Sequence, residues 1–174
     1  MKIMTKKINL KITIEETAER HPVPVLGTDY KVKIIYKNIK VAELDVEDKI
    51  IKISLPNKYK KANNERILDI AIDKMYEQIA KVEVERAMEK TRILLGFAPE
   101  DYEIKKIRNT LGKCEDKKIT INPEIVKYDR NLIDYIVLHQ YCHLKYKTHS
   151  KGFISMLKEY EPNFEKYEEI ISNK

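Results

Sequence analysis

An α+β fold, with an antiparallel sheet first and helices last, is predicted for this chain by three observations. The first sixty residues alternate apolar and polar side chains with a period of two. Residues 63–95 then change to a helical period. From about residue 100 the chain returns to two short strand-like runs and ends in apolar helical segments interrupted by Pro162. Strands, a helix, strands and helices in that order describe an α+β chain. A length of 174 residues suits one domain, divided into N-terminal strands over 1–60, a helix over 63–96 and a C-terminal core over 100–174.

The elements follow in order. Ile8 to Ile14, Tyr30 to Tyr36, Ile39 to Leu44 and Ile50 to Leu55 alternate and are rich in β-branched residues, the signal of half-buried strands. Asn38 and the pair Glu47-Asp48 supply turns between them. Beyond Pro56, the residues Ile67, Ile70, Ala71, Met75, Ile79 and Val82 recur every three or four positions, as one buried helix face requires. One long helix or two shorter ones satisfy this pattern, and Gly96 stops it. Glu103 to Arg108 and Lys118 to Ile121 read as strands around a turn-like stretch, L-G-K-C-E-D at 111–116. Asp129 or Asn131 caps a helix from about Leu132 to Tyr146, and Ser150 caps another to about Glu161. A short helix ends the chain, and no internal repeat is evident.

Composition narrows the class of function. Hydrophobic residues make up 43%, enough for a core, and no run approaches the roughly 20 apolar residues of a membrane span. Lysines near the N-terminus are not followed by a continuous apolar stretch, so a cytoplasmic location is expected. Cys114 and Cys142 form no disulfide framework and are expected to be free thiols. The net charge of +6 permits a nucleic-acid partner. Only six basic residues are arginine, however, and no aromatic stacking motif accompanies them, so that signal is weak.

The chemistry concentrates in His139-Gln140-Tyr141-Cys142-His143, within the apolar helical run I-D-Y-I-V-L-H-Q-Y-C-H-L. Two histidines four apart share a helix face, so both imidazoles can reach one metal ion. His149 follows after a short connection and completes H-x-x-x-H-x5-H. Three neutral nitrogen ligands with an open fourth position suit a catalytic zinc ion. In the related His-Glu-x-x-His pattern the glutamate after the first ligand is the general base. Here that position is Gln140, whose amide has the same shape but takes no proton near neutral pH. The expected site binds metal and peptide and turns over poorly. His21, the fourth histidine, reads as a loop residue in H-P-V-P-V.

The segment from Asp134 to Phe153 resembles the core motif of the YgjP-like metallopeptidases, relatives of SprT-type and WLM-domain proteases. Tyr135, Val137, His139, His143, Leu144, His149, Ser150 and Phe153 carry the resemblance. Upstream, Arg108 and L-G-K-C at 111–114 are similar to that family's R-W-G-S-C turn, with no tryptophan before Gly112. V-L-G-T-D-Y-K-V-K-I at 25–34 and I-K-I-S-L-P resemble its earlier strands. The resemblance implies a zincin-like metallopeptidase core, a zinc ion, and a peptide or protein substrate. By similarity to zincins, an extended substrate would pair beside Lys118, Ile119, Thr120 and Ile121.

Two other classes compete. A catalytically inactive module that binds peptides or proteins on a zincin scaffold fits Gln140. A DNA-associated protease of SprT type fits the basic balance. Tyr135, Tyr141 and Tyr146 read chiefly as packing residues, although a tyrosine hydroxyl can polarise a substrate carbonyl. Cys142 reads as a buried small side chain. Asp134 reads as a capping or solvated carboxylate, with an orienting role as the alternative.

Overall fold

The computed structural model describes residues 22–60 and 65–172. The expected strand at Ile8 to Ile14, the residue His21 and the first helical positions at 63–64 lie outside them.

Strand β1 (Val23–Val25) turns through Leu26 and Gly27 into β2 (Thr28–Lys37). Both turn residues have positive φ, 48° and 76°, the geometry of a two-residue hairpin. The tip of this hairpin lies against the C-terminal half of the chain. Leu26 N donates to Val126 O at 2.7 Å. A Cβ on Gly27 would sit 3.0 Å from Asp129 Cβ, so the close approach needs glycine.

β3 (Glu43–Glu47) and β4 (Ile50–Pro56) form a second hairpin, and the sheet order is β1-β2-β4-β3. β4 therefore lies between β2 and β3. It is antiparallel to β3 but parallel to β2, with Ile34 beside Ile53. The expected antiparallel sheet is thus a mixed one. Period-two alternation reports which face is buried but says nothing about the direction of the neighbour. The strand expected at Ile39 to Leu44 begins only at Glu43, because 38–42 carry the chain past β4 to the far edge.

After a short 3-10 turn (Asn57–Tyr59), a single helix α1 runs over Glu65–Leu95. Gly96, at φ 74°, ends it and donates to Arg92 O. Its buried face is Leu68, Ile72, Met75, Tyr76, Ala80, Val84, Ala87 and Met88. The expected face was right in part: Met75 is buried and Ile67, Ala71 and Ile79 pack against the core, whereas Ile70 is 48% and Val82 66% exposed. Small residues and an ion-paired glutamate complete the true stripe, and apolarity alone passes over them.

A second sheet follows, of β5 (Asp101–Ile104), β6 (Gly112–Glu115) and β7 (Lys118–Ile121), in the order β5-β7-β6. β6 occupies the stretch expected to be a turn. It contains no β-branched residue and is a strand because it pairs antiparallel with β7, Cys114 opposite Ile119. The two strand trios share one plan. In each, the third strand is central, parallel to the first and antiparallel to the second. Their tight turns, Asp48-Lys49 and Asp116-Lys117, all have positive φ. A 3-10 turn and a helix follow each trio, a repetition of topology that the sequence pattern does not reveal.

Helices α2 (Arg130–Lys145), α3 (Lys151–Tyr160) and α4 (Phe164–Ser172) close the chain. Ile51, Ile53 and Leu55 of β4, Ile119 and Ile121 of β7, Ala80 and Val84 of α1, and Ile133 and Val137 of α2 belong to one buried cluster. Between α1 and α2, Glu83 receives Arg130 on both carboxylate oxygens and Arg86 on one. No helix among the described residues is long and apolar enough to cross a membrane.

Candidate metal centre

Asp129 starts α2, which carries His139 and His143: its Oδ1 accepts a hydrogen bond from Leu132 N at 3.0 Å. Burial of Ile133, Val137 and Cys142 against the core fixes the rotation of α2. His139 and His143, one turn apart, then share the face beside β6 and α3. Tyr146 N closes the helix on Cys142 O, and Ser150 Oγ opens α3 by accepting from Phe153 N at 3.4 Å. The reversal between them is tight. A Cβ on Gly152 would stand 2.6 Å from the Tyr146 ring. This turn brings His149 back over the helix.

The three rings converge through their Nε2 atoms. His139 and His149 are 3.1 Å apart at these nitrogens, and His149 and His143 are 3.2 Å apart. Ligands about 2.0–2.1 Å from a tetrahedral zinc ion are separated by about 3.3 Å, so the spacing suits one ion. Phe153, fully buried, lies beside all three rings with centroids 4.6–5.0 Å away.

The opposite ring nitrogens explain why the Nε2 atoms are available. His143 Nδ1 faces Tyr146 O at 3.0 Å, an acceptor only, so this nitrogen carries the proton. His139 Nδ1 faces the Glu168 carboxylate at 3.1 Å and the Tyr135 oxygen at 3.2 Å. Tyr135 donates its own proton to Glu168. Two Nε2 lone pairs therefore point at His149, whose single Nε2 proton could satisfy only one of them. A cation at the centre would satisfy all three. Burial pushes the His139 pKa down to about 4, aided by the neighbouring imidazoles and opposed by Glu168. Burial also lowers that of His143, against the Tyr146 carbonyl. Both rings are thus neutral near pH 7, the form that ligates metal.

Gln140 lines the same open cleft of about 400 Å³ and is 6% exposed. Its Oε1 has no hydrogen-bond partner among the described residues. β6 passes close above it: a Cβ on Gly112 would lie 3.1–3.2 Å from Gln140 Cγ, Cδ and Nε2. A side chain at position 112 would therefore have to displace the residue 140 side chain by a few tenths of an ångström.

The expected substrate strand needs correction. Lys118, Ile119, Thr120 and Ile121 form β7, which is paired on both sides by β5 and β6 and has no free edge. The open edge beside the cleft is β6, whose Gly112, Lys113 and Cys114 line it.

The tyrosines and Asp134 have other duties. Tyr135 and Tyr141 are buried, and the Tyr141 hydroxyl donates to Met88 O. Asp134 pairs with Arg86 and Lys90 on α1. Cys142 is fully buried, as expected. Sequence reasoning missed Glu168, since nothing in the pattern links a residue of the last helix to His139. Tyr135 was readable as a neighbour of His139 from its i,i+4 spacing.

The fold resembles two crystal structures of metallopeptidase zymogens, abylysin of Pyrococcus abyssi and jannalysin of Methanocaldococcus jannaschii. Each is 23% identical over 52% of this chain with a TM-score of 0.47, and the matches cover 92% and 88% of those chains. No curated protein matches the sequence. The model of the YgjP-like metallopeptidase domain matches residues 2–174, and the chain belongs to that family.

Proposed function

We propose that the chain holds one zinc ion on His139, His143 and His149 and accepts an extended peptide along the free edge of β6, with slow turnover because Gln140 stands in place of the base. The convergence of three Nε2 atoms at 3.1–3.2 Å carries this reading. When bound, the ion would polarise the scissile carbonyl and bring the pKa of a water down to about 7.

The chain's own residues supply the rest. Phe153 and the Tyr146 carbonyl hold the rings in place. Gly112 leaves room for the residue 140 side chain beside the cleft. The Gln140 amide can orient a water by hydrogen bonding, but it has no basic form near pH 7 to remove a proton. Binding without efficient hydrolysis follows, which places the chain between an enzyme and a peptide-binding module.

Metal analysis of the purified protein tests the reading. Close to one zinc per chain is expected, and His149→Ala, an exposed position, should lose most of it while keeping the fold. A protein that retains no divalent metal, or a His149→Ala variant that binds it as tightly as the parent, would overturn the site.

A further inference from the structure

Resting on the metal site just described, we propose that Glu168 is a positioning residue for His139, and that it couples the docking of α4 to metal binding. Glu168 Oε1 lies 3.1 Å from His139 Nδ1 and accepts the Tyr135 hydroxyl as well. Tyr135, buried on α2, stacks on Tyr167 of α4 with centroids 4.9 Å apart and rings 18° from parallel. The next residue, Glu168, is thereby aimed at the ligand. Among the described residues lining the cleft it is the single carboxylate.

Two consequences follow from the chemistry. A carboxylate at Nδ1 fixes the imidazole tautomer and orientation and raises the basicity of Nε2. It also places one negative charge beside a ligand set that carries none, partly offsetting a dication. Among the described residues His143 Nδ1 has the neutral Tyr146 carbonyl for the same purpose, so His139 is the more strongly held ligand. Glu168 acts through His139, because its Oε1 is engaged with that ring and with Tyr135. The coupling is reciprocal: whatever factor docked α4 adds to metal affinity, the metal adds to the docking of α4.

The test is zinc affinity of the full chain, measured by competition with a chromophoric chelator at constant pH. Parent, Glu168→Gln, Glu168→Ala and Glu169→Gln are compared. Glu169 is an exposed neighbour on the same helix. Loss of such a partner typically weakens metal binding about 10–100-fold. That loss is expected in both Glu168 variants, with Glu169→Gln unchanged. In the apo proteins, imidazole nitrogen NMR shifts should show His139 protonated at Nδ1 in the parent and mixed between tautomers in Glu168→Ala. Zinc should slow hydrogen exchange of the α4 amides in the parent and fail to do so in Glu168→Ala. Should Glu168→Ala not fold, the isosteric Glu168→Gln carries the comparison alone. If the parent binds zinc and both Glu168 variants bind it as tightly, the positioning role is refuted while the site stands. Equal weakening by Glu169→Gln also refutes it, since the effect would then belong to helix α4 in general. A parent that binds no zinc refutes the metal site itself.

Discussion

Gln140→Glu changes the proposed chemistry through a single side-chain group. The two residues have nearly the same shape, and Gly112 holds position 140 closely on one side, so the fold should be kept. The environment nonetheless acts differently on apo and loaded protein. Residue 140 is 6% exposed, and the oxygen at Oε1 has no partner among the described residues. Without metal, a carboxylate there is desolvated and unpaired, at a cost of about 2 kcal/mol. For a chain of this length that lowers the apo Tm by roughly 4–8 °C. A dication nearby reverses the sign, since it favours the charged form. The zinc-induced rise in Tm should therefore be larger in the variant than in the parent. On activity, general-base catalysis typically contributes about 10²–10⁴-fold, and a gain of that order is expected on any accepted peptide. The assay is hydrolysis of a fluorogenic peptide library, with autolysis followed by mass spectrometry, chelator added and zinc restored. A variant that is fully zinc-loaded yet cleaves nothing in a broad library would refute the peptidase chemistry and leave the peptide-binding module.

Glu83→Gln should destabilise the joint between α1 and α2 by about 2–3 kcal/mol, below the usual figure for a buried pair because Arg130 is 63% exposed. Arg130 foremost, and Arg86, hold the Glu83 carboxyl below the usual carboxylate range. Its contribution is therefore present above the unfolded value, about pH 4.3, and is lost as pH falls through the lower folded value. The Tm difference between parent and variant should be full at pH 6–7 and shrink below pH 4; a difference that grows on acidification contradicts the assignment. Gly152→Ala puts a methyl 2.6 Å from the Tyr146 ring and should cost about 1–3 kcal/mol. Because this turn carries His149, chelator competition should show weaker zinc binding too, and unchanged binding would mean that the turn does not set the ligand.

The histidine cluster was readable because its geometry is local: an i,i+4 pair on an apolar helix, with a third histidine just past the capping turn. Gln140 was readable for the same reason. Glu168 was not, since tertiary docking of α4 through Tyr135 and Tyr167 brings it to His139. The strand β6 was missed because Gly112, Lys113, Cys114 and Glu115 have little intrinsic β preference, and pairing with Ile119 and its neighbours decides their state. With 111–116 read as a turn, nothing covers that side of Lys118 to Ile121, whereas in the fold β6 pairs there and leaves β7 no free edge. The α1 face was legible only in part for a different reason: Val82 was taken in place of its neighbour Glu83, which is buried because two arginines neutralise it, a condition invisible to a hydrophobic pattern.

The position of the donors along the chain has a thermodynamic meaning of its own. His139 and His149 are ten residues apart, and the entropic cost of joining the ends of so short a loop is about 2 kcal/mol. Extending the closure to Glu168, nearly three times as far along the chain from His139, adds only about 0.9 kcal/mol. By contrast, the hydrogen bond between Leu26 and Val126 joins segments a hundred residues apart. The histidine corner thus closes over a short stretch of chain in a fold that also relies on contacts a hundred residues apart, and once the core has set the rotation of α2, little further loop ordering separates the three nitrogens from one another.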